Sequence, residues 1–293
     1  MGRKIVDAAR AVGSLAVDPK TSDEPVPERA LAWDEDLTTL AIEAASHVRH
    51  HEAKLVLASR KLDAATIQVA LDIKVPIRSL ADPMAAAADH DGPTLLLGGE
   101  DAWAVACLVD GPRGPVDQGG SAPRHVGPKP RLVSALRALQ ESRRVPPPEE
   151  IPDSPMGAYV PQGTWIEDLP ARLRLLAQRC QSCQRVQYPP RGACVACRGR
   201  AFDEVMLPPE AELYAATRIG RGGAPSEFAL EQAQVGAYWV GIVSWPAQGV
   251  RVTARLADLG DDGLAIGAKL RPVVRRLFDQ EGKTRYGLKF RPA

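Results

Sequence analysis

The sequence has few histidines, few cysteines and no long apolar run, and each shortage excludes a class of protein. Its 293 residues include five histidines and five cysteines. No segment approaches the roughly 20 consecutive apolar residues of a membrane-spanning helix. The start has no hydrophobic signal core, because Asp7 and Arg10 interrupt it. Since four of the cysteines fall in two close pairs, they do not form the disulfide framework of a secreted protein. We therefore expect a cytoplasmic protein without membrane association.

Charge is distributed unevenly along the chain. From residue 171 to the end there are 19 Lys and Arg against 11 Asp and Glu, a net charge of +8, and the first 170 residues hold 18 against 25, a net charge of −7. A basic half beside an acidic half indicates a polyanionic ligand, such as a nucleic acid or a phosphate-bearing cofactor. The alternative is ordinary variation on a solvated surface.

Two C-x-x-C pairs give the strongest signal for a metal site. Cys180 and Cys183 form the first pair, and Cys194 and Cys197 form the second. Each pair places two thiolates on one tight turn, and two such turns provide the four sulfur ligands of a structural Zn²⁺. Iron in a rubredoxin-type site is the alternative, but such sites usually carry proline and glycine beside the cysteines, where this chain has glutamine and serine.

The chain divides by pattern into four segments. Residues 1–111 alternate helical and strand-like patterns, which predicts an α/β domain with helices at 36–48 and 64–71 and strands at 53–58, 93–97 and 102–109. Residues 112–165 are rich in proline and glycine and predict an extended linker, interrupted by one helix at 130–142. Residues 166–204 predict a helix at 169–178 that leads into the paired cysteines.

From residue 205 to residue 293 the apolar residues recur with a period of two. This pattern predicts five strands, at 213–219, 237–245, 250–256, 270–277 and 284–290. Five short strands within about 80 residues suit a small closed barrel, for which the OB-fold is the leading candidate.

The cysteine pairs and the strands behind them resemble a known family. The run Cys180-x-x-Cys-x-x-x-x-Tyr-Pro-Pro-Arg-x-x-Cys-x-x-Cys197, the Ala265-Ile-Gly267 turn and the terminal Phe290-Arg-Pro292 are similar to the zinc-ribbon/OB-fold proteins that accompany thiolases and hydroxymethylglutaryl-CoA synthases. The resemblance covers about residues 154–293. It implies a rubredoxin-like zinc ribbon in a non-catalytic accessory subunit that binds a thiolase-like catalytic subunit, forms a hetero-oligomer with it and helps to bind acyl-CoA.

The front of the chain carries a second resemblance. The stretch Asp34-Glu-Asp-Leu-Thr-Thr-Leu-Ala-Ile-Glu-Ala-Ala45 is similar to one near the start of hydroxymethylglutaryl-CoA synthase-like proteins. In that superfamily the nucleophilic cysteine follows in a small-residue turn between a strand and a buried helix. The matching stretch here, residues 76–88, has no cysteine. A second α/β half with the catalytic histidine is also missing after Gly111. The resemblance therefore implies a truncated, degenerate thiolase-like domain.

No residue pair offers convincing acid–base or nucleophilic chemistry, so we assign no catalytic residue. Cys107, within an apolar strand, is expected to be buried and inert. His90 stands in a turn-like Asp-His-Asp-Gly and is the only imidazole kept as an alternative. The candidate contacts to CoA phosphates are arginines of the basic half, each of which could instead belong to a solvated surface: Arg191, Arg198, Arg200, Arg218 and Arg221.

The sequence thus predicts an α+β multidomain protein in which a degenerate α/β domain, a linker, a zinc ribbon and a barrel follow one another. We expect a non-catalytic accessory subunit that helps an acyl-CoA enzyme to form or cleave a carbon–carbon bond in lipid metabolism. One alternative is a diverged acyl-CoA acyltransferase acting on its own. Another is a barrel that binds single-stranded nucleic acid by stacking bases on Tyr238, Trp239 or Trp245. The net charge of only +1 disfavours nucleic acid.

Overall fold

A computed structural model describes residues 3–18, 20, 29–32, 34–117, 123–127, 130–134, 138, 162–220, 232, 236–280 and 283–293. The chain forms two compact units, Met1–Arg144 and Val145–Ala293. Of the helices in these ranges, none has the length and apolar character needed to span a membrane.

The amino-terminal unit combines ten strands with three α-helices among its described residues. The helices are α1 (Leu37–Ser46), α2 (Ala64–Ala70) and α3 (Pro83–Ala87). The strands are β1 (Arg3–Val12), β2 (Leu15–Asp18), β3 (Arg29–Ala30), β4 (Leu55–Ser59), β5 (Ile77–Leu80), β6 (Thr94–Glu100), β7 (Trp103–Asp110), β8 (Val116–Asp117), β9 (Arg124–Val126) and β10 (Arg131–Ser134).

Most of these strands form one mixed sheet in the order β5-β4-β6-β7-β1-β8, and β9 also pairs with β1. Strands β5, β4 and β6 are parallel, with α2 and α3 in the connections between them, whereas β7 is antiparallel to both β6 and β1. Such crossover helices cover a parallel sheet, so its central strands are apolar on both faces. The buried residues of β4 and β6 meet this requirement. The α/β pattern predicted for the first segment is confirmed.

Aspartates set the starts of the three helices. Asp36 caps α1 by accepting a 2.9 Å hydrogen bond from the backbone N–H of Thr39, and the Asp36 N–H donates in return to the Thr39 hydroxyl at 3.0 Å. Asp63 and Asp82 cap α2 and α3 in the same general way. A capping side chain satisfies backbone donors that have no partner within the helix.

Two predictions for the linker segment are corrected. The helix expected at 130–142 is wrong over residues 131–134, which form β10 and pair in parallel with β2. Val133 of this strand packs in a small core with Leu15 and Val17, and this burial outweighs local helical preference. Strands β8 and β9 also lie within the predicted linker, and the first unit extends to Arg144.

In the part of the carboxy-terminal unit that the structure describes, two short helices come first, α4 (Gln162–Glu167) and α5 (Leu169–Leu173). Eight strands follow: β11 (Leu176–Cys180), β12 (Val186–Gln187), β13 (Phe202–Met206), β14 (Ala211–Ile219), β15 (Tyr238–Trp245), β16 (Val250–Arg255), β17 (Lys269–Gln280) and β18 (Lys283–Pro292). The five strands predicted after residue 205 are thus confirmed, with small shifts at their ends.

The helix predicted at 169–178 is too long. It ends at Leu173, because Arg174 adopts an extended backbone with φ −131° and ψ 163°. Residues 176–180 instead form β11, which pairs with β13 from Leu176 to Cys180. A short apolar segment is compatible with either a helix or a strand, so the sequence pattern did not distinguish the two.

The last five strands form an antiparallel sheet in the order β16-β15-β14-β17-β18. A parallel bridge between Leu256 and Phe290 joins the two ends, so the sheet is nearly closed into a barrel. The interior is tightly filled at Gly241, where an added Cβ would lie 2.9 Å from Leu213 Cδ1 and 3.2 Å from the methyl carbons of Leu256.

The three-stranded ribbon sheet, β12-β11-β13, shares one hydrophobic core with the barrel. Leu175 and Ala177 from the ribbon side pack with Leu213, Trp245 and Phe290 from the barrel. The segments 166–204 and 205–293, predicted as separate domains, therefore belong to one compact unit.

Candidate metal centre and the cleft beside it

The two cysteine pairs adopt matching turns. In the first, the Cys180 N–H donates to the Arg185 carbonyl at 2.9 Å and the Gln184 N–H donates to the Cys180 carbonyl at 2.8 Å. In the second, the Cys194 N–H donates to the carbonyl of residue 199 at 2.8 Å and the N–H of residue 198 donates to the Cys194 carbonyl at 3.0 Å. The residue after each pair, Gln184 or Arg198, has a left-handed backbone with φ 62° or 65°. The repeated turns bring both thiol pairs to one point.

The four sulfurs have the spacing that zinc requires. All four Sγ atoms lie within 4.8 Å of one another. Cys180 Sγ is 3.5 Å from Cys197 Sγ, and Cys183 Sγ is 3.6 Å from Cys194 Sγ. Tetrahedral zinc with Zn–S bonds of about 2.3 Å separates its sulfurs by about 3.8 Å. The donor set and its dimensions therefore fit a structural Zn²⁺ held by these four cysteines, as the spacing predicts.

The surroundings of the sulfurs favour thiolates at two of the four positions. Backbone N–H groups of Cys197 and Ala196 lower the pKa of the Cys194 thiol to about 6. The N–H of Cys183 leads the interactions that lower the pKa of Cys180. Like charges this close need a cation to coexist. Gly199 packs close to the site: an added Cβ would lie 3.1 Å from Ser182 Oγ and 3.4 Å from the sulfurs of Cys180 and Cys197.

The Tyr-Pro-Pro-Arg run fixes the ribbon to its surroundings. The Tyr188 hydroxyl donates to the Ala171 carbonyl of α5 at 2.8 Å, and the Tyr188 ring meets Trp245 edge-on at 6.3 Å between centroids. Trp245 in turn packs edge-on against Phe290 at 5.7 Å and donates to the Pro208 carbonyl at 2.9 Å. The Tyr188 hydrogen bond thus joins the ribbon to α5, and the aromatic contacts join the ribbon to the barrel.

A cleft of about 810 Å³ lies between the ribbon and the barrel. Its ribbon side comes from the stretch between the cysteine pairs and from Val195 within the second pair. Its barrel side comes from β14, β15, β16, the turn between β15 and β16, and the turn before β17. The lining includes six exposed arginine and large apolar side chains: Arg185, Arg191, Val195, Tyr214, Arg251 and Ile266. Of these six residues, only Arg191 is among those predicted from the sequence to bind a ligand.

The predicted phosphate-binding arginines do not form a single site. Arg191 lines the cleft, whereas Arg198 and Arg200 are exposed on the ribbon and do not line it. Arg218 forms an ion pair with Asp261 at 2.6 Å. Arg221 lies outside the described residues.

The aromatic residues of β15 are engaged within the protein. Tyr238 is buried, and the Arg255 guanidinium lies over its ring at 3.9 Å. Trp239 donates to the Gly260 carbonyl at 3.0 Å and covers Gly263, where an added Cβ would lie 2.7 Å from its ring. Trp245 is buried in the core described above. Two of the three, Tyr238 and Trp245, are therefore buried, and Trp239 has one side of its ring against Gly263.

The remaining catalytic alternatives gain no support from their surroundings. Cys107 is buried in β7, and burial raises the pKa of its thiol to about 11. His90 follows α3, and its carbonyl accepts a hydrogen bond from the buried Arg3 side chain. A thiol that stays protonated is a poor nucleophile.

Three comparisons with known proteins bear on this site. Residues 168–203 match the family model described as the ChsH2 rubredoxin-like zinc ribbon domain. DUF35 domain-containing scaffold proteins of Methanocaldococcus jannaschii and Methanothermobacter thermautotrophicus are each 28% identical, over 124 and 132 residues; these stretches cover 41% and 44% of this chain and 83% and 93% of the relatives. A solved structure described as an Ltp2-ChsH2(DUF35) aldolase matches 41% of this chain and 84% of its own, with 25% identity and a TM-score of 0.31.

Residues 168–203 match a zinc-ribbon family model and two DUF35 scaffold proteins are relatives, so this part of the chain is similar to the zinc-ribbon DUF35 family. The resemblance indicated by the cysteine spacing and the Tyr-Pro-Pro-Arg run is therefore confirmed. The aligned stretches span less than half of this chain. The thiolase-like character of the amino-terminal unit stays a prediction.

Proposed function

We propose that the chain is a non-catalytic accessory subunit of a thiolase-like or hydroxymethylglutaryl-CoA synthase-like enzyme, with which it forms a hetero-oligomer. The observation that carries the proposal is the single hydrophobic core shared by ribbon and barrel, which joins the two elements into one platform for a partner. The description of two relatives as scaffold proteins agrees with this role.

In this proposal the zinc is structural. It holds the two cysteine turns together, while Tyr188 ties the stretch between them to α5 and the barrel. A closed site with four protein ligands leaves no coordination position for a substrate or a reactive water. The metal thus contributes to folding and assembly, and the partner's cysteine performs the Claisen condensation or thiolysis.

The barrel is proposed to be an OB-fold. Its five antiparallel strands and the parallel bridge between Leu256 and Phe290 support this assignment. Exposed Arg198 and Arg200 on the ribbon are the proposed contacts for phosphates of a CoA thioester bound in the complex. Arg218 is engaged in a surface ion pair with Asp261, which it could exchange for a phosphate contact at little cost.

The amino-terminal unit is proposed to be a degenerate thiolase-like half that completes an interface of the complex. Its mixed sheet with crossover helices supports this reading. The turn between β5 and α3, where the nucleophile of that superfamily would lie, carries the helix cap Asp82 and then Pro83. A carboxylate that caps a helix cannot replace a nucleophilic thiolate.

Co-expression with thiolase-like proteins encoded beside its gene tests the proposal. The expected result is a complex of defined stoichiometry on size-exclusion chromatography with mass detection. Added CoA thioester should tighten this complex, and Arg198→Glu should reduce that effect. A chain that stays alone with every candidate enzyme contradicts the proposed function.

A further inference from the structure

The cleft between ribbon and barrel carries an unusual concentration of exposed apolar surface. Val195, Tyr214 and Ile266 are 48%, 49% and 63% exposed, and all three line it. Single exposed apolar side chains are ordinary on a protein surface, but a cluster around one concavity marks an interaction site.

The same cleft is strongly basic. Arg185, Arg191 and Arg251 line it, and among the described residues none of the three has an ion-pair partner. The one lining carboxylate, Glu212, is held by Lys269 at 3.0 Å. Three uncompensated guanidinium groups in a concavity attract carboxylates or phosphates.

Arg251 is also held in place. Its guanidinium lies 3.7 Å above the Tyr214 ring centroid, which is a close cation–π contact. A guanidinium stacked in this way loses less conformational freedom when it binds an anion. Tyrosine and arginine are also the residues most often found at the centre of protein interfaces.

The openness of the cleft favours a protein segment over a small molecule. Small-ligand sites enclose most of the surface of their ligand. Here Val195, Tyr214 and Ile266 each keep about half or more of their surface in water, so the concavity is an open groove around them. A chain segment lying along a groove can cover such side chains and place carboxylates beside the arginines at its edges.

We propose that this cleft, lined by Arg185, Arg191, Arg251, Val195, Tyr214 and Ile266, binds a segment of a partner protein in which an apolar side chain is flanked by Asp or Glu. The apolar side chain lies against Tyr214 and Ile266, and the carboxylates pair with the arginines. The inference rests on the proposed function only in naming the accessory subunit's enzyme as the donor of the segment.

Selection from a random 12-residue peptide library on the full, zinc-loaded chain tests the site without a known partner. Peptides with Leu, Ile or Phe next to at least two acidic residues are expected to be enriched. By fluorescence polarisation, the double variant Arg191→Glu/Arg251→Glu should bind them at least tenfold more weakly, and Tyr214→Ala should also weaken them. The control Arg78→Glu, at an exposed position of strand β5, makes half of that charge change and should stay within twofold of the wild type. Zinc content and circular dichroism confirm that each variant is folded.

Two results overturn the proposal: no acidic-apolar consensus in the selection, or binding that the cleft variants leave unchanged. A titration with CoA separates the small-ligand case. If CoA binds and the Arg191→Glu/Arg251→Glu variant abolishes its binding while no peptide is enriched, the cleft is a nucleotide site and the proposal is wrong. The chain could also select acidic peptides yet form no complex with any thiolase-like enzyme. That result would support the cleft as a peptide-binding site and contradict the proposed function.

Discussion

The Tyr188 hydroxyl donates a 2.8 Å hydrogen bond to the carbonyl oxygen of Ala171, across 17 residues of sequence. This bond joins the middle of the stretch between the cysteine pairs to the helix that precedes them. Burial raises the pKa of the Tyr188 phenol to about 12, so the hydroxyl keeps its proton and remains a donor at all ordinary pH values. The contact gives the tyrosine of the Tyr-Pro-Pro-Arg run a structural purpose.

Replacing Tyr188 by Phe removes this bond while the ring remains. Because the Ala171 carbonyl would lose its side-chain donor, the free energy of unfolding is expected to fall by about 1 kcal/mol. Urea unfolding followed by tryptophan fluorescence measures the change. Tyr214→Phe is the matched control, because that residue is half exposed, and it should leave stability unchanged. Equal effects from both variants contradict the role given to Tyr188.

Asp258→Asn tests a buried ion cluster beside the barrel. The Asp258 carboxylate lies 3.2 Å from an Arg275 guanidinium nitrogen and 3.6 Å from one of Arg291, and all three side chains are buried. Asp258 has a left-handed backbone with φ 60°, which asparagine also tolerates, so the change isolates the lost charge. Removing one member of a buried charged group is expected to cost about 3 kcal/mol.

Asp261→Asn provides the surface comparison for Asp258. Its ion pair with Arg218 is short, at 2.6 Å, but the Asp261 side chain is largely exposed. Water and salt screen such a pair, so thermal or urea unfolding should change by less than about 0.5 kcal/mol. If Asp261→Asn lowers the free energy of unfolding as much as Asp258→Asn does, burial does not determine how much these ion pairs contribute to stability.

Cys107 should resist alkylation in the native, zinc-loaded chain. With its pKa raised to about 11, only about one thiol in a thousand is ionised at pH 8, and raising the pH should increase the reaction. Iodoacetamide treatment followed by peptide mass spectrometry measures the labelling. After chelation, the four ribbon thiols should label and Cys107 should not. Rapid labelling of Cys107 in the native chain would contradict this prediction and would support the alternative that the chain is itself an acyltransferase.

Cys183→Ser should weaken the complex with the partner enzyme before it lowers the turnover of that complex. A serine hydroxyl is a poor zinc ligand, so zinc content by atomic emission is expected to fall well below one per chain. The complex with the partner enzyme should weaken accordingly, and any complex that remains should turn over normally. Cys107→Ala is the control and should retain zinc. Loss of turnover in an intact, zinc-free complex contradicts a structural role for the metal.

Local chemistry made much of this fold predictable. The C-x-x-C spacing determines which four sulfurs meet, and period-two patterns locate the barrel strands because one face of each strand is buried. Asp36 and Thr39 mark the start of α1 by a capping box that needs no tertiary contact.

Features that depend on tertiary contacts could not be predicted from the sequence. Strand β10 forms because β2, more than 110 residues earlier, offers Leu15 and Val17 as packing partners. The cleft depends on how the ribbon meets the barrel, so Tyr214 and Arg251 had no sequence signal that placed them beside Arg191. Tyr214 and Arg251 lie on different strands, and only the positions of those strands show that the two side chains are in contact.

The most direct test of the accessory role is the rate of acyl-CoA thiolysis, measured for this chain alone, for the thiolase-like partner alone and for their complex. The account predicts no turnover from the chain alone and a higher kcat or a lower KM for the complex than for the partner. Turnover of acyl-CoA by the purified chain alone would contradict it.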